Sequence, residues 1–182
     1  MRRIKVPYII FKTKSGIYGI DAYTSLRVEK VERAATLIRR FDKMPSMIKM
    51  EETELALISK DNVGDFLIRL KDYTKNKAAS KLNQRFKKMR RWNLFRFLGI
   101  PTGHSRHISE EERLAKENRE ALLALSILNV VLKGDVEPLG YSFIELEIRD
   151  DGVYIDGKKD GVYTELLKVD MRAAIALLEL AR

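Results

Sequence analysis

Lys81, Arg85, Lys88, Trp92 and Arg96 follow one another at spacings of 4, 3, 4 and 4 residues. On an α-helix that spacing aligns them along one face. Cations at a pitch of roughly 5–6 Å can track a phosphate chain. An indole in the same row offers a flat surface to a nucleobase. Lys87, Arg90 and Arg91 flank the row. The chemistry implied is charge neutralisation and stacking, not bond-making. The surrounding stretch 69–107 carries twelve Lys or Arg against one acid, Asp72, together with Phe86, Phe95 and Phe97.

Competing readings exist for these residues. A dense basic face is often only solvated. Trp92 equally suits a core, with Phe95, Phe97 and Leu98 beside it. A basic amphipathic helix can also lie on an anionic membrane. The apolar stripe Leu82, Phe86, Met89 is too narrow for that and calls for a protein core, so no membrane partner is expected.

The charge is polarised along the chain. Residues 1–14 hold five cations and no acid, 15–68 sum to −1, 69–107 to +11 and 108–182 to −6, giving the total of +9. A polarised chain has one side to offer a polyanion. Lys12 and Lys14, outward on a predicted strand, extend that side.

The segment Gly103-His104-Ser105-Arg106-His107 reads as a loop in which Arg106 and the histidines can donate to phosphate. It is a poor metal site. Zinc usually takes three or four nitrogen or sulfur ligands, and the chain has two histidines and no cysteine. No metal or other cofactor is expected. The absence of cysteine also excludes disulfides and thiol nucleophiles. A metal-dependent nuclease would use Asp156 with Glu165 and Lys168. Those last two are three apart, which on a strand places them on opposite faces, so the nuclease reading is disfavoured. No Walker loop, dinucleotide fingerprint or nucleophile elbow is present, and an enzyme is not expected.

The elements that must position the basic row are legible from periodicity. Tyr8 to Lys14 alternates, Ser15-Gly16 turns, and Ile17 to Ala22 returns as a second strand. Leu26 to Phe41 takes helical period, with Val28, Val31, Ala35 and Ile38 on one face and Ser25 as N-cap. Met44 to Met50 is a connector and Glu54 to Ile58 a third strand. Asp61 caps a helix that buries Val63, Phe66, Leu67 and Leu70. A long helix follows at about Lys75–Leu98, broken by Gly99 to Gly103. A capping box at Ser109 and Glu112 starts its partner, which runs to Lys133 and stops at Gly134. That helix is apolar nearly all round from Ala121 to Leu132.

The C-terminal part returns to strands: Phe143–Arg149, Val153–Asp156 and Gly161–Lys168. Asp170 then caps a last helix with Met171, Ala174, Ile175, Leu178 and Ala181 inward. The two chain ends invite alignment as an internal ββ-β-α repeat, Tyr8–Asp21 against Phe143–Asp156. The fold class is α+β: an antiparallel sheet built from N- and C-terminal hairpins, with a basic helical hairpin inserted. The parts are 1–74, 75–134 and 135–182 of one compact domain.

The functional expectation is a nucleic-acid-binding protein, DNA or RNA, largely sequence-independent, preferring single strands or backbone. Its contacts are Lys81, Arg85, Lys87, Lys88, Arg90, Arg91, Trp92, Arg96, Arg106, Lys12 and Lys14. The alternative is a nucleoprotein subunit that assembles as a homo-oligomer through 121–132. Charge-rich, glutamine-poor, cysteine-free composition leans towards a thermophile. A cytoplasmic location is expected, since no signal-peptide pattern opens the chain.

Overall fold

The computed structural model describes residues 2–48, 58–97 and 104–181; the side chains of 85–86, 88–97, 104–112 and 114 lie outside that description. Six strands form one antiparallel sheet in the order β3-β2-β1-β4-β5-β6. They are β1 (Arg2–Thr13), β2 (Gly16–Asp21), β3 (Ile38–Phe41), β4 (Glu137–Arg149), β5 (Gly152–Ile155) and β6 (Lys158–Asp160). The helices are α1 (Val63–Phe97), α2 (His104–Val131), α3 (Gly161–Val169) and α4 (Met171–Glu179), with 3₁₀ helices at Thr24–Leu26 and Val31–Leu37.

The fold class is α+β, as the periodicity implies. The long central strands β1 and β4 pair from Arg2↔Ile148 to Lys12↔Glu137, with a bulge at Ile10/Phe11. Each continues outward as its own meander, so the order is symmetric about that pair. Lys14 and Ser15 make the β1–β2 turn, and Gly16 at φ +141 takes a conformation that side chains resist. β1 is central enough to bury Val6, Tyr8, Ile9, Ile10 and Phe11 fully.

Several elements differ from the periodic reading. Leu26 to Phe41 is not one helix. Asp21 accepts from the Tyr23 and Thr24 amides at 2.8 and 2.6 Å, and the buried Asp170 carboxylate accepts from the Glu29 amide at 3.0 and 3.1 Å. Those anchors hold the segment open. Ser25 sits inside the first 3₁₀ helix rather than capping, and Ile38 to Phe41 is recruited by the edge of β2. The buried set is Glu32, Ala34, Ala35 and Leu37, while Val31 is exposed.

Gly161 to Lys168 is helix, not strand. The Asp160 side chain accepts from the Tyr163 amide at 2.8 Å and starts α3, and the Asp170 side chain caps α4 in the same way through Ala173. On α4 the inward residues are Ala173, Ala176 and Leu177; Met171, Ile175 and Leu178 face out, the reverse of the expected stripe. α2 begins at His104, so Ser109 and Glu112 lie within it and the expected loop at 104–107 is its first turn. α1 is one continuous helix across the 74/75 boundary. The expected strand at Glu54–Ile58 falls, apart from Ile58, outside the described residues.

A buried polar chain closes the sheet. Arg39 of β3 pairs with Asp160 of β6, so the sheet curls until its opposite edges meet. Arg39 Nε donates to Tyr8 Oη at 3.2 Å. Tyr163 donates its one hydroxyl hydrogen to Asp21 Oδ2 at 2.7 Å, so the 2.8 Å contact between the two hydroxyls has Tyr8 as donor. The chain runs in one direction, from cation to carboxylate, through residues of both sequence halves.

Candidate nucleic-acid interface

The basic residues lie on a helical arm. α1 has 35 residues and extends roughly 50 Å at about 1.5 Å per residue. Only its first part meets the core. Val63, Leu67, Leu70, Thr74 and Ala78 are buried, and α2 answers with Asn118, Ala121, Ala124, Leu128 and Val131. The core cluster takes α1 residues only as far as Leu70. Beyond it, the two helices run antiparallel and pack on each other.

The rotation of α1 differs from the expected one. Leu82, expected inward, is 37% exposed, whereas Lys81, expected on the solvent ridge, turns towards α2 and pairs with Glu117. Hydrogen bonding from Lys81 holds the Glu117 carboxyl below its ordinary range, with the charges of Lys81 and Arg113 adding to it. The buried sequence 63-67-70-74-78 sets this rotation, and Lys81 is its next step. Positions 85, 88 and 92 repeat the phase of Lys81 by spacing alone, and position 96 follows one helical turn on.

Cations near the base of the arm are matched by acids. Lys77 pairs with Glu32 at 2.7 Å, and Glu32 is 1% exposed. Lys30 pairs with Glu120 at 3.0 Å, and Arg33 with Asp170 at 2.9 Å. On the sheet, Arg3, Lys5 and Lys12 stand opposite Glu147, Glu145 and Glu137. Such pairs cancel most of the field that an N-terminal basic strand would offer.

Lys12 and Lys14 are exposed, but the structure does not join them to the distal row. The Lys14 amide donates to the Lys133 carbonyl at 3.1 Å, and the Lys14 stem lies over Gly134. They therefore sit at the base of α2. The level of Trp92 is roughly 40 Å further along the arm, counted at about 1.5 Å per residue. Lys87 is exposed on α1, and position 106 is on the first turns of α2. The side chains of Arg85, Lys88, Arg90, Arg91, Trp92, Arg96 and Arg106 lie outside the described residues.

The acid-free stretch in sequence is the rest of α1 and the first turn of α2. Between Asp72 and Glu110 there is no acid, and the ten cations there include Arg90, Arg91, Arg96 and Arg106 near the hairpin end. The acids that answer Lys77 and Lys81 come from elsewhere in the chain, and periodicity along α1 gives no sign of them. Glu117 is the exception: it falls in the buried phase of α2 beside Asn118, a position where an acid needs a cation.

The nuclease geometry changes too. Glu165 and Lys168 are both exposed on α3, where a spacing of three shares a helix side, so the strand-based objection to them no longer applies. Among the described residues, no three His, Cys, Asp or Glu are grouped so as to hold a metal ion. Among the described residues no helix is long and apolar enough to cross a membrane. No family model, curated protein or solved structure matches this chain.

Proposed function

We propose that this protein binds nucleic acid through the distal half of the α1–α2 arm, largely independently of sequence. One observation carries the reading: the acid-free run from Tyr73 to Ser109, with ten cations, lies on a helical hairpin whose far end extends past the folded core. The distal half of α1 carries cations and no acid, a run that can follow a phosphate backbone without reading base edges, while α2 sets Glu110, Glu111 and Glu112 a turn or two from its start. Lys87, Arg90 and Arg91 lie off the phase that Lys81 turns towards α2 and contact phosphates; Trp92 and Arg96 share that phase, so they meet a strand only towards the hairpin end, where Trp92 stacking on a base favours single strands. Lys81 serves the arm itself, through Glu117.

The test is anisotropy of a labelled single-stranded oligonucleotide across a salt series. Four or more phosphate contacts give a log–log slope of about −3 or steeper. Arg90→Gln with Arg91→Gln flattens it by about 1.4, at about 0.7 per contact. Lys12→Gln with Lys14→Gln leaves it unchanged. A slope near zero, or the opposite ranking of the two pairs, refutes the assignment. Trp92→Ala weakens single-strand binding about tenfold while leaving duplex binding nearly intact; equal losses would mean that Trp92 is structural.

A further inference from the structure

A groove of about 280 Å³ lies between α2, the 3₁₀ helix Val31–Leu37 and α3. Its floor is apolar: Leu123, Val162, Leu166 and Val169. Leu123 is 57% exposed and Val162 and Val169 are each 39% exposed. Three large aliphatic side chains exposed side by side on two helices form a small apolar patch that a partner can cover.

The charges around the groove indicate what covers it. Glu32, Arg33 and Glu120 are satisfied within the chain by Lys77, Asp170 and Lys30. Lys116 and Glu165, which line the groove from α2 and α3, are exposed and make no ion pair among the described residues. The five charged lining groups are two cations and three acids, so a polyanion gains nothing here. A surface with one cation and one anion that make no ion pair among the described residues, set around an apolar floor, complements itself.

We propose that this groove is the self-association surface of the protein, covered by the same groove of a second copy related by a two-fold axis. A two-fold axis makes an isologous contact, in which each residue meets the other end of the same patch. Leu123 of each copy packs against Val162 and Val169 of the other, and Lys116 of each meets Glu165 of the other. Two copies at +9 each repel one another over most of their surface. At this groove the local charge balances, so close approach is least opposed there.

Sedimentation equilibrium of the full chain, without nucleic acid, tests the proposal. A reversible monomer–dimer equilibrium in the micromolar range is expected. Leu123→Glu weakens it about tenfold or more, and far-UV circular dichroism confirms the fold, since Leu123 is exposed. Lys116→Glu and Glu165→Lys each weaken association about three- to tenfold, and the double exchange restores it to within about twofold. A chain that stays monomeric throughout overturns the proposal. So does a dimer indifferent to Leu123→Glu, or a double exchange no better than the single ones.

Discussion

Replacing Tyr163 by Phe removes one oxygen from the middle of the buried chain and leaves the ring, stacked 5.5 Å under the Arg39 guanidinium, in place. The Tyr163 and Tyr8 hydroxyls and the Asp21 carboxylate sit in fully buried residues. The substitution strips the Asp21 carboxylate of its tyrosine donor and leaves the Tyr8 hydroxyl without an acceptor. A hydrogen bond to a charged group contributes about 1.5–3 kcal/mol and a neutral one about 0.5–1.5, so the loss is about 2–4.5 kcal/mol. Tyr8→Phe is milder, about 0.5–1.5 kcal/mol: it loses the neutral bond to Tyr163 and the Arg39 Nε donation, but the Arg39 side chain is a quarter exposed and water replaces that donation, while Tyr163 still donates to Asp21. Urea unfolding followed by far-UV circular dichroism measures both, with an unchanged slope confirming that only stability moved.

The pH dependence gives the same experiment a second readout. Burial raises the Asp21 carboxyl above its ordinary value of 3.8, against hydrogen bonds from Thr24, Tyr163 and Tyr23 that pull it down. A raised carboxyl gives its full stability below the unfolded value and loses it as pH rises through the folded one. Without the Tyr163 donor the folded value climbs further, so the variant loses more on the way to neutrality. The gap between wild type and Tyr163→Phe therefore widens as pH rises above the ordinary carboxyl value and through the raised folded one. Tyr8→Phe costing as much as Tyr163→Phe, or a gap that narrows towards neutral pH, would refute the direction assigned to the chain.

Three smaller predictions test the packing and the arm. Lys81→Met lowers stability by about 1 kcal/mol, through loss of the Glu117 pair, and leaves the salt slope of nucleic-acid binding unchanged; a flattened slope would put Lys81 on the interface instead. Gly19→Ala drives a methyl to 2.7 Å from Ile10 Cδ1 and 2.9 Å from Phe41 Cε2, and lowers the urea midpoint by about 1–3 kcal/mol of stability. Gly161→Ala meets nothing within 4 Å at the start of α3, and raises the thermal midpoint through about 0.4–1 kcal/mol of lost unfolded-state entropy.

The sequence alone determined the classes of element and where charge is concentrated. Strand alternation in Tyr8–Lys14 and Phe143–Arg149, the Gly134 stop and the acid-free run after Asp72 are local properties. Each is written in residues a few positions apart; strands form at both segments, although β1 buries both of its faces from Tyr8 to Phe11, and α2 ends at Val131, short of Gly134. The +11 stretch is likewise a count that no folding can change.

Only the tertiary structure decided which of those charges are answered and which way the helices face. Glu32 and Glu117 reach Lys77 and Lys81 from 45 and 36 residues away, and helical spacing along α1 cannot register them. The same holds at Leu26–Phe41, where Asp170 and the edge of β2 override a helical period, and at α4, where Ala173 and Ala176 fit the core and the larger Met171 and Ile175 are turned out. Local pattern fixes what a segment can form; the choice among faces, partners and registers goes to contacts distant in sequence, because burial and ion pairing together outweigh the few tenths of a kcal/mol that separate local propensities.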